Sequence, residues 1–141
     1  MRLTFLGFLA WIISFGSAFA EEYNLTVHLN GIKSSLGQIH VELYSDAKTF
    51  RKSALAQNII KVEAKEGSAT VKFSGIKPGV YAILAFHDAD GNGLLNKRFG
   101  MIPTEGYALS NDPDVFGPPA FKDSKFEVLS DKELDIPIHY K

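Results

Sequence analysis

Oxygen-bearing side chains recur at alternate positions in one stretch of the sequence, HDADGNGLLNKRF. Asp88, Asp90 and Asn92 are followed at once by Gly93. Oxygen ligands at positions one, three and five, with a glycine at position six, form the first half of a helix–loop–helix calcium loop. The spacing therefore predicts a Ca²⁺ site, and Ca²⁺ is the one cofactor that the sequence suggests. The predicted ligands are Asp88, Asp90, Asn92, the carbonyl of Leu94, and Asn96.

The second half of this stretch departs from the calcium pattern. Position twelve, where that pattern has a bidentate Glu, is Phe99. A further carboxylate from a later segment, or water, must complete the shell. The alternative is a tight turn in which Asp and Asn bond their own backbone, while Gly91 and Gly93 adopt positive φ. The candidate later carboxylates are Glu105, Asp112, Asp114 and Asp123.

Histidines suggest two further kinds of chemistry. His87 and Asp88 could act as the base of a hydrolase and the group that orients it, although no hydroxyl lies in a nucleophile motif. The alternative is a histidine at a strand end, bonded to loop backbone. If the first two strands pair as a hairpin, His28, His40 and Glu42 could together hold Zn²⁺ or Cu²⁺. The alternative there is two solvated histidines on an outer face.

Aromatic residues stand among prolines in the segment after the acidic stretch. Residues 101–119 contain four prolines and have no usable period. A loop of this length in a compact domain is usually functional or disordered, and its many apolar residues favour an ordered loop packed on the domain. Exposed aromatics here would suit a small ligand or a carbohydrate, whereas buried ones would close one end of the domain. The candidate ligand-binding residues are Tyr107, Phe116 and Phe121.

Alternating apolar residues predict strands along most of the remaining chain. The run VYAILAF, residues 80–86, lacks alternation and predicts a central strand covered on both faces. Residues 45–56 change period and predict one short helix, capped by Ser45 or Asp46. Pro137 cannot donate to a ladder, so the last strand should lie at an edge or carry a bulge. These elements predict an all-β fold, an antiparallel β-sandwich of about seven strands with one short helix and a long ordered loop.

The first twenty residues have the composition of a secretory signal peptide. Arg2 precedes an apolar run that ends at Ala18-Phe19-Ala20, and the run is too short to cross a bilayer. We expect residues 21–141 to form a single β-sandwich domain in an extracytoplasmic location, periplasmic or secreted. Without cysteines this domain has no disulfide, thiolate metal site or thiol nucleophile. Its formal charge of about −2 provides no basic excess for nucleic acid.

Three ordered pieces of the sequence resemble a bacterial family catalogued as domain of unknown function 2141. The pieces are PGVYAILAFHDADGNG, GMIPTEGYALSND and FGPPAFKDSKF, which lie within residues 78–126. The resemblance implies an extracytoplasmic location and a transthyretin-like or immunoglobulin-like sandwich. It implies no activity, because the family has none assigned.

The function class expected first is a non-catalytic exported β-sandwich, calcium-stabilised, that binds a protein partner or an envelope component. The first alternative is a small-ligand or carbohydrate binder that uses the aromatic loop. The second is a hydrolase centred on His87 and Asp88. A cluster of exposed aromatics would favour the first alternative, and a deep pocket holding His87 with carboxylates would favour the second.

Overall fold

The computed structural model describes residues 19–141. The predicted signal peptide, residues 1–20, therefore lies outside the described residues except for its last two. No helix among residues 19–141 is long and apolar enough to cross a membrane.

Ten strands make up about half of the described chain, and several of them are only two or three residues long. Two very short helical segments interrupt them: a 3₁₀ turn at Ser53–Leu55 and the helix α1 at Phe121–Ser124. The strands are β1 (Tyr23–Ile32), β2 (Gln38–Tyr44), β3 (Asn58–Glu63), β4 (Gly67–Ile76), β5 (Gly79–Asp88), β6 (Lys97–Arg98), β7 (Ile102–Pro103), β8 (Tyr107–Leu109), β9 (Phe126–Val128) and β10 (Lys132–Pro137).

Two sheets pack face to face around one apolar core. The first has the order β10-β1-β4, and the second has the order β3-β2-β5-β8, with β9 also paired to β5. Both sheets contribute their inward positions to the core, for example Val27 of β1 and Val41 of β2, which are both fully buried. This arrangement confirms the predicted all-β sandwich. The finer likeness to transthyretin or to immunoglobulin domains stays a prediction.

β10 departs from a purely antiparallel arrangement, because it pairs with β1 in parallel. The chain crosses from the second sheet to the first between β9 and β10, so β10 enters beside β1 running in the same direction. β10 is an edge strand, as Pro137 predicted, since a residue without an N–H is tolerated where no further strand must be bonded.

β5 is the central strand of the second sheet and is paired along both edges. β2 bonds one edge, while β8 and β9 share the other. Its inward residues Ile83 and Ala85 belong to the core between the sheets. Its outward residues Leu84 and Phe86 belong to a second cluster with Tyr44 of β2. The strand therefore has no solvated face, which explains why its sequence lacks alternation and confirms that prediction.

The short helix predicted between Ser45 and Ala56 is wrong in its extent. Asp46 does accept hydrogen bonds from the amides of Lys48 and Phe50, as a helix start would require. However, Arg51 has φ of 68°, which stops a right-handed helix after one turn. Burial of the Phe50 ring against the second sheet accompanies this turn.

Candidate functional site

Asp88 ends β5 with its side chain on the outer face of the second sheet. It is 2% exposed although it is a carboxylate. The chain of Gly37 passes so close that a Cβ there would collide with the Asp88 carbonyl oxygen. Gly37 has φ of +68°, so both space and backbone conformation favour glycine at this contact. The end of β5 is thereby held against the turn before β2.

Three carboxylates converge beyond this strand end. Single carboxylate oxygens of Asp88, Asp90 and Glu105 all lie within 4.8 Å of one another. The register of β5 with β8 pairs Phe86 with Tyr107, and two further steps along this register set Glu105 opposite Asp88. The carboxylate missing from position twelve thus has a counterpart that reaches the loop from the returning chain. We call Asp88, Asp90 and Glu105 the acidic cluster.

The loop after Asp88 is also folded by its own hydrogen bonds. The amides of Asn92 and Gly93 donate to the two carboxylate oxygens of Asp88, at 3.1 and 2.9 Å. Gly91 and Gly93 have φ of +71° and +79°. The turn described as the alternative to a calcium loop is therefore present. A carboxylate oxygen that accepts one hydrogen bond retains capacity for a cation, so this turn and a cation site are compatible.

The remaining predicted ligands, Asn92, Leu94 and Asn96, make hydrogen bonds in or near the acidic cluster through different groups. The Asn96 amide nitrogen donates to Asp90 at 2.7 Å, and its backbone amide donates to Glu105 at 3.1 Å. The Asn92 amide nitrogen lies between Asp90 (3.3 Å) and the Asn96 oxygen (2.6 Å). Leu94 joins through its N–H, which donates to Asn92 at 2.9 Å. Both asparagines therefore direct N–H groups toward Asp90, and a cation would require their oxygens instead.

Burial and mutual repulsion raise the pKa values of these carboxylates, whereas hydrogen bonds from the loop lower them. Burial raises the pKa of Glu105, and the charges of Asp90 and Asp88 raise it further, against a hydrogen bond from the Asn96 amide. The Asn96 side chain is the main cause that lowers the pKa of Asp90, followed by the Asn92 amide. Asp90 is thus held ionised at the surface, while Glu105 carries an electrostatic cost that a nearby cation would relieve.

His40 borders the acidic cluster from the buried side. Its Nε2 lies 3.3 Å from Asp88 Oδ2, and both side chains are almost fully buried. This distance is within ion-pair range, but the Nε2 has no hydrogen-bond partner among residues 19–141. Burial lowers the pKa of His40, with a smaller contribution from Lys61 in the same direction, so the imidazole is held neutral. The inner end of the cluster therefore contains a buried nitrogen whose bonding capacity is unused.

His87 is not oriented by Asp88. Successive residues of a strand point to opposite faces, and His87 turns inward. Its ring nitrogens contact the Tyr140 hydroxyl at 2.8 Å and the Leu36 carbonyl at 2.6 Å. The contact with the Leu36 carbonyl is the bond to loop backbone that the alternative described, and the contact with Tyr140 adds a side-chain partner. The base and orienter pair that a hydrolase would need is not formed.

The candidate metal set of His28, His40 and Glu42 is wrong, and the alternative of two solvated histidines is wrong for His40, which is buried. β1 pairs with β4 and β10, whereas β2 pairs with β3 and β5, so the first two strands lie in different sheets. His28 contacts Thr70 and Glu133 on the outer face of the first sheet. His40 and Glu42 are buried on the outer face of the second. The error came from the assumed hairpin, because alternation within a strand does not reveal its partner.

A cavity of about 620 Å³ lies over the same outer face. Leu84 and Phe86 of β5 form its floor together with the buried Glu42 of β2. Leu94 and Leu95 line it from the loop that carries the acidic cluster. Four basic side chains also border it, and most of the remaining lining is apolar. The basic residues are Arg51, Lys52, Lys97 and Lys141.

The three aromatic residues predicted to bind a ligand occupy three different environments. Tyr107 is half-buried and lines the cavity. Phe116 is 100% exposed, and Phe121 packs edge-on against Phe50 with ring centroids 5.9 Å apart. The apolar residues of the loop are buried only in part, because Leu109 is 3% exposed whereas Met101 is 68% exposed and lies at the cavity. Only Tyr107 of the three is in position to contact a molecule in the cavity.

Sequence reasoning missed Glu42 as a cavity residue. In β2 the residues His40, Glu42 and Tyr44 alternate with Ile39, Val41 and Leu43, which is typical of a strand with one solvated face. The structure instead buries both faces, since the loop of residues 91–119 covers the polar side. A signal was available in Tyr44, a large aromatic on the face assigned to solvent.

The family comparison covers most of the chain. A family model described as "Uncharacterized protein conserved in bacteria (DUF2141)" matches residues 27–137. This range includes the acidic cluster and the cavity-lining strands. No curated protein and no solved structure matches the chain.

Proposed function

The chain belongs to this uncharacterized bacterial family, and we propose that it is an exported, non-catalytic β-sandwich protein that Ca²⁺ stabilises and that binds a partner or component of the cell envelope. The absence of cysteine and the modest charge suit such a domain without naming its partner. Extracellular modules bind Ca²⁺ weakly, at about 10⁻⁴–10⁻³ M, which fits a site with few committed charges.

The acidic cluster is the observation that carries the calcium part of this proposal. Asp88, Asp90 and Glu105 come from two segments of the chain and converge within 4.8 Å. No Lys or Arg forms an ion pair with them among residues 19–141. Ca²⁺ tolerates irregular oxygen shells, whereas Mg²⁺ demands near-octahedral geometry and keeps its waters. Rotation of the Asn92 and Asn96 amides would supply two further oxygens.

Thermal unfolding in Ca²⁺ tests this site. An ion that binds only the folded state stabilises it by RT ln(1 + [L]/Kd), about 2.7 kcal/mol at a hundredfold excess over Kd. We expect the melting temperature of the mature protein to rise in millimolar Ca²⁺, to rise less in Mg²⁺, and to fall back with a chelator. Asp90→Ala should abolish the response, while Asp114→Ala, at an exposed carboxylate outside the cluster, should keep it. Equal melting with and without Ca²⁺ in the wild type would show that the loop is only a turn.

Export is tested separately from calcium binding. The Ala18-Phe19-Ala20 end of the leader predicts cleavage after Ala20. N-terminal sequencing of protein recovered from the extracytoplasmic fraction should begin at Glu21. Recovery of the uncut chain from the cytoplasm or from membranes would contradict the proposed location.

The second candidate function is binding of a small ligand at the aromatic loop. The cavity favours it, because ligand sites are typically concave and apolar with a few placed polar groups. Tyr107 is the residue of the loop's aromatic set that lines it. This function does not require the cation, so either proposal can fail alone.

A further inference from the structure

We propose that the cavity over the second sheet binds an uncharged or cationic amphiphile, whose apolar body fills the cavity and whose terminal hydroxyl or ammonium group donates a hydrogen bond to Glu42. The proposal rests on the second candidate function and adds the chemical class of the ligand. It assigns Glu42 as the residue that determines which head group is accepted.

Glu42 is a buried carboxylate with incomplete bonding. It is 1% exposed and lines the cavity. Its Oε2 accepts a hydrogen bond from the Tyr44 hydroxyl at 2.5 Å. Among residues 19–141, no side chain or amide donates to its Oε1, and no Lys or Arg forms an ion pair with it. A donor from a ligand would satisfy the oxygen that the protein leaves unpaired.

Tyr44 holds this carboxylate in one orientation. The Tyr44 ring is fully buried and packs edge-on against Phe50, with centroids 5.3 Å apart. Burial is the largest cause that raises the pKa of Tyr44, and its bond to Glu42 raises the pKa further, so the hydroxyl remains a donor. With one carboxylate oxygen fixed by Tyr44, the other is the acceptor available to the cavity.

The rest of the cavity suits an apolar body. Leu84 and Phe86 lie on the floor beside Glu42, and Leu95 and Val115 line the walls. Met101 and Ile102, which are 68% and 46% exposed, also line it and would lose solvent contact when a ligand enters. Transfer of each methylene from water into the cavity is favourable, so an eight-carbon chain supplies most of the attraction.

The basic side chains at the edge of the cavity favour an anionic ligand, whereas Glu42 favours a ligand that donates a hydrogen bond. The difference in burial between these groups decides which preference is stronger. Arg51, Lys52 and Lys97 are exposed to solvent, so their attraction for an anion is screened by water and salt. Glu42 acts from a buried position, where a charge interacts more strongly with its neighbours. An anionic head that entered the cavity would be repelled there, whereas a hydroxyl or an ammonium would be attracted.

Three probes with the same eight-carbon alkyl chain distinguish selection by Glu42 from selection by the basic side chains. They are 1-octanol, octylamine and octanoate. We expect titration of the mature protein near neutral pH, in Ca²⁺ and in chelator, to show binding of octanol and octylamine in both conditions. Octanoate should bind at least about tenfold more weakly. Octanoate binding equal to or tighter than octanol would overturn the proposal and assign selection to the basic edge. No binding by any probe would refute ligand binding in the cavity as well, while a missing calcium response would refute the cation site alone.

Substitutions test whether Glu42 is the residue that discriminates between octanol and octanoate. Glu42→Gln keeps an acceptor for Tyr44 but removes the charge, so the ratio of octanoate to octanol dissociation constants should fall to within about twofold of one. Glu127→Gln, at an exposed carboxylate of β9, should leave the ratio unchanged. If Glu42→Gln fails to fold, Leu84→Trp gives a second test, because an indole on the floor should abolish binding of octanol and octylamine together. An unchanged ratio in folded Glu42→Gln, or full binding by Leu84→Trp, would contradict the assignment.

Discussion

Asp88 connects the two sites at the level of single residues. On one side Asp88 forms the acidic cluster with Asp90 and Glu105. On the other side it lies next to His40, one of the buried polar residues of β2. Its two oxygens already accept amides from the loop. A buried carboxylate is expensive unless its bonds are complete. The hydrogen bonds offset part of this cost, and a cation would offset the repulsion that remains among the three carboxylates.

Glu105 provides the sharpest test at this scale. In Glu105→Gln the side chain can still accept the Asn96 amide, while the charge that Asp88 and Asp90 oppose is removed. We therefore expect the variant to be as stable as the wild type, or more stable, in chelator. In millimolar Ca²⁺ it should lose most of the stabilisation, because one carboxylate ligand is gone. Chemical unfolding with and without Ca²⁺ measures both quantities.

The contrary result for Glu105→Gln is equally clear. A variant that is destabilised in chelator but keeps the full Ca²⁺ response would show that Glu105 is a structural acceptor and not a ligand. Glu127→Gln serves as the matched control, since its side chain is exposed and lies outside the cluster. Its free energy of unfolding should match the wild type in both conditions.

At the scale of elements, Ser110 joins the returning loop to the sandwich. Its hydroxyl accepts the Ile83 amide of β5 at 2.8 Å and donates to the Ser124 carbonyl of α1 at 2.5 Å. Ser110→Ala would leave two buried backbone groups without partners, at about 1–3 kcal/mol each. We expect a loss within that order of magnitude in urea unfolding. Ser124→Ala is the contrasting control.

The Ser124 control has the opposite sign. Its hydroxyl is buried and has no hydrogen-bond partner among residues 19–141. Removal of an unpaired polar atom should leave stability unchanged or raise it, since a desolvation cost disappears. Equal destabilisation by Ser110→Ala and Ser124→Ala would indicate that volume, and not the hydrogen bonds of Ser110, holds the loop.

Sequence patterns predicted local elements better than the contacts between them. The unalternating run of residues 80–86 was enough to predict a central strand, because burial on two faces leaves a direct mark on composition. The pairing of β1 with β10, and the crossing of β2 into the second sheet, leave no such mark. For the same reason Glu105 could be named only among four later carboxylates. Its place opposite Asp88 depends on the register of β5 with β8. That His87 and Asp88 face apart could have been read from strand alternation alone.

At the scale of the whole molecule, the two outer faces of the sandwich differ. The outer face of the first sheet carries exposed polar side chains such as Thr70 and Glu133. The outer face of the second sheet is covered by the long loop and contains the cavity beside the acidic cluster. Leu94 and Leu95 belong to the loop of the cluster and also line the cavity. The segment that forms one wall of the cavity is therefore also part of the loop that carries the acidic cluster.

This shared wall predicts that Ca²⁺ and an apolar ligand bind cooperatively. A cation held by Asp88, Asp90 and Glu105 would order the loop that carries Leu94 and Leu95, so a ligand would lose less entropy by ordering the same segment. We expect 1-octanol to bind at least about fivefold more tightly in saturating Ca²⁺ than in chelator, a coupling of about 1 kcal/mol. Reciprocity requires octanol to tighten Ca²⁺ binding by the same factor.

In Asp90→Ala octanol should bind with the affinity that the wild type shows in chelator, whether or not Ca²⁺ is present. Calorimetric titrations in both orders measure the two factors. Equal octanol affinity with and without Ca²⁺, in a wild-type protein that binds both, would show that the loop is already rigid and that the two sites act independently.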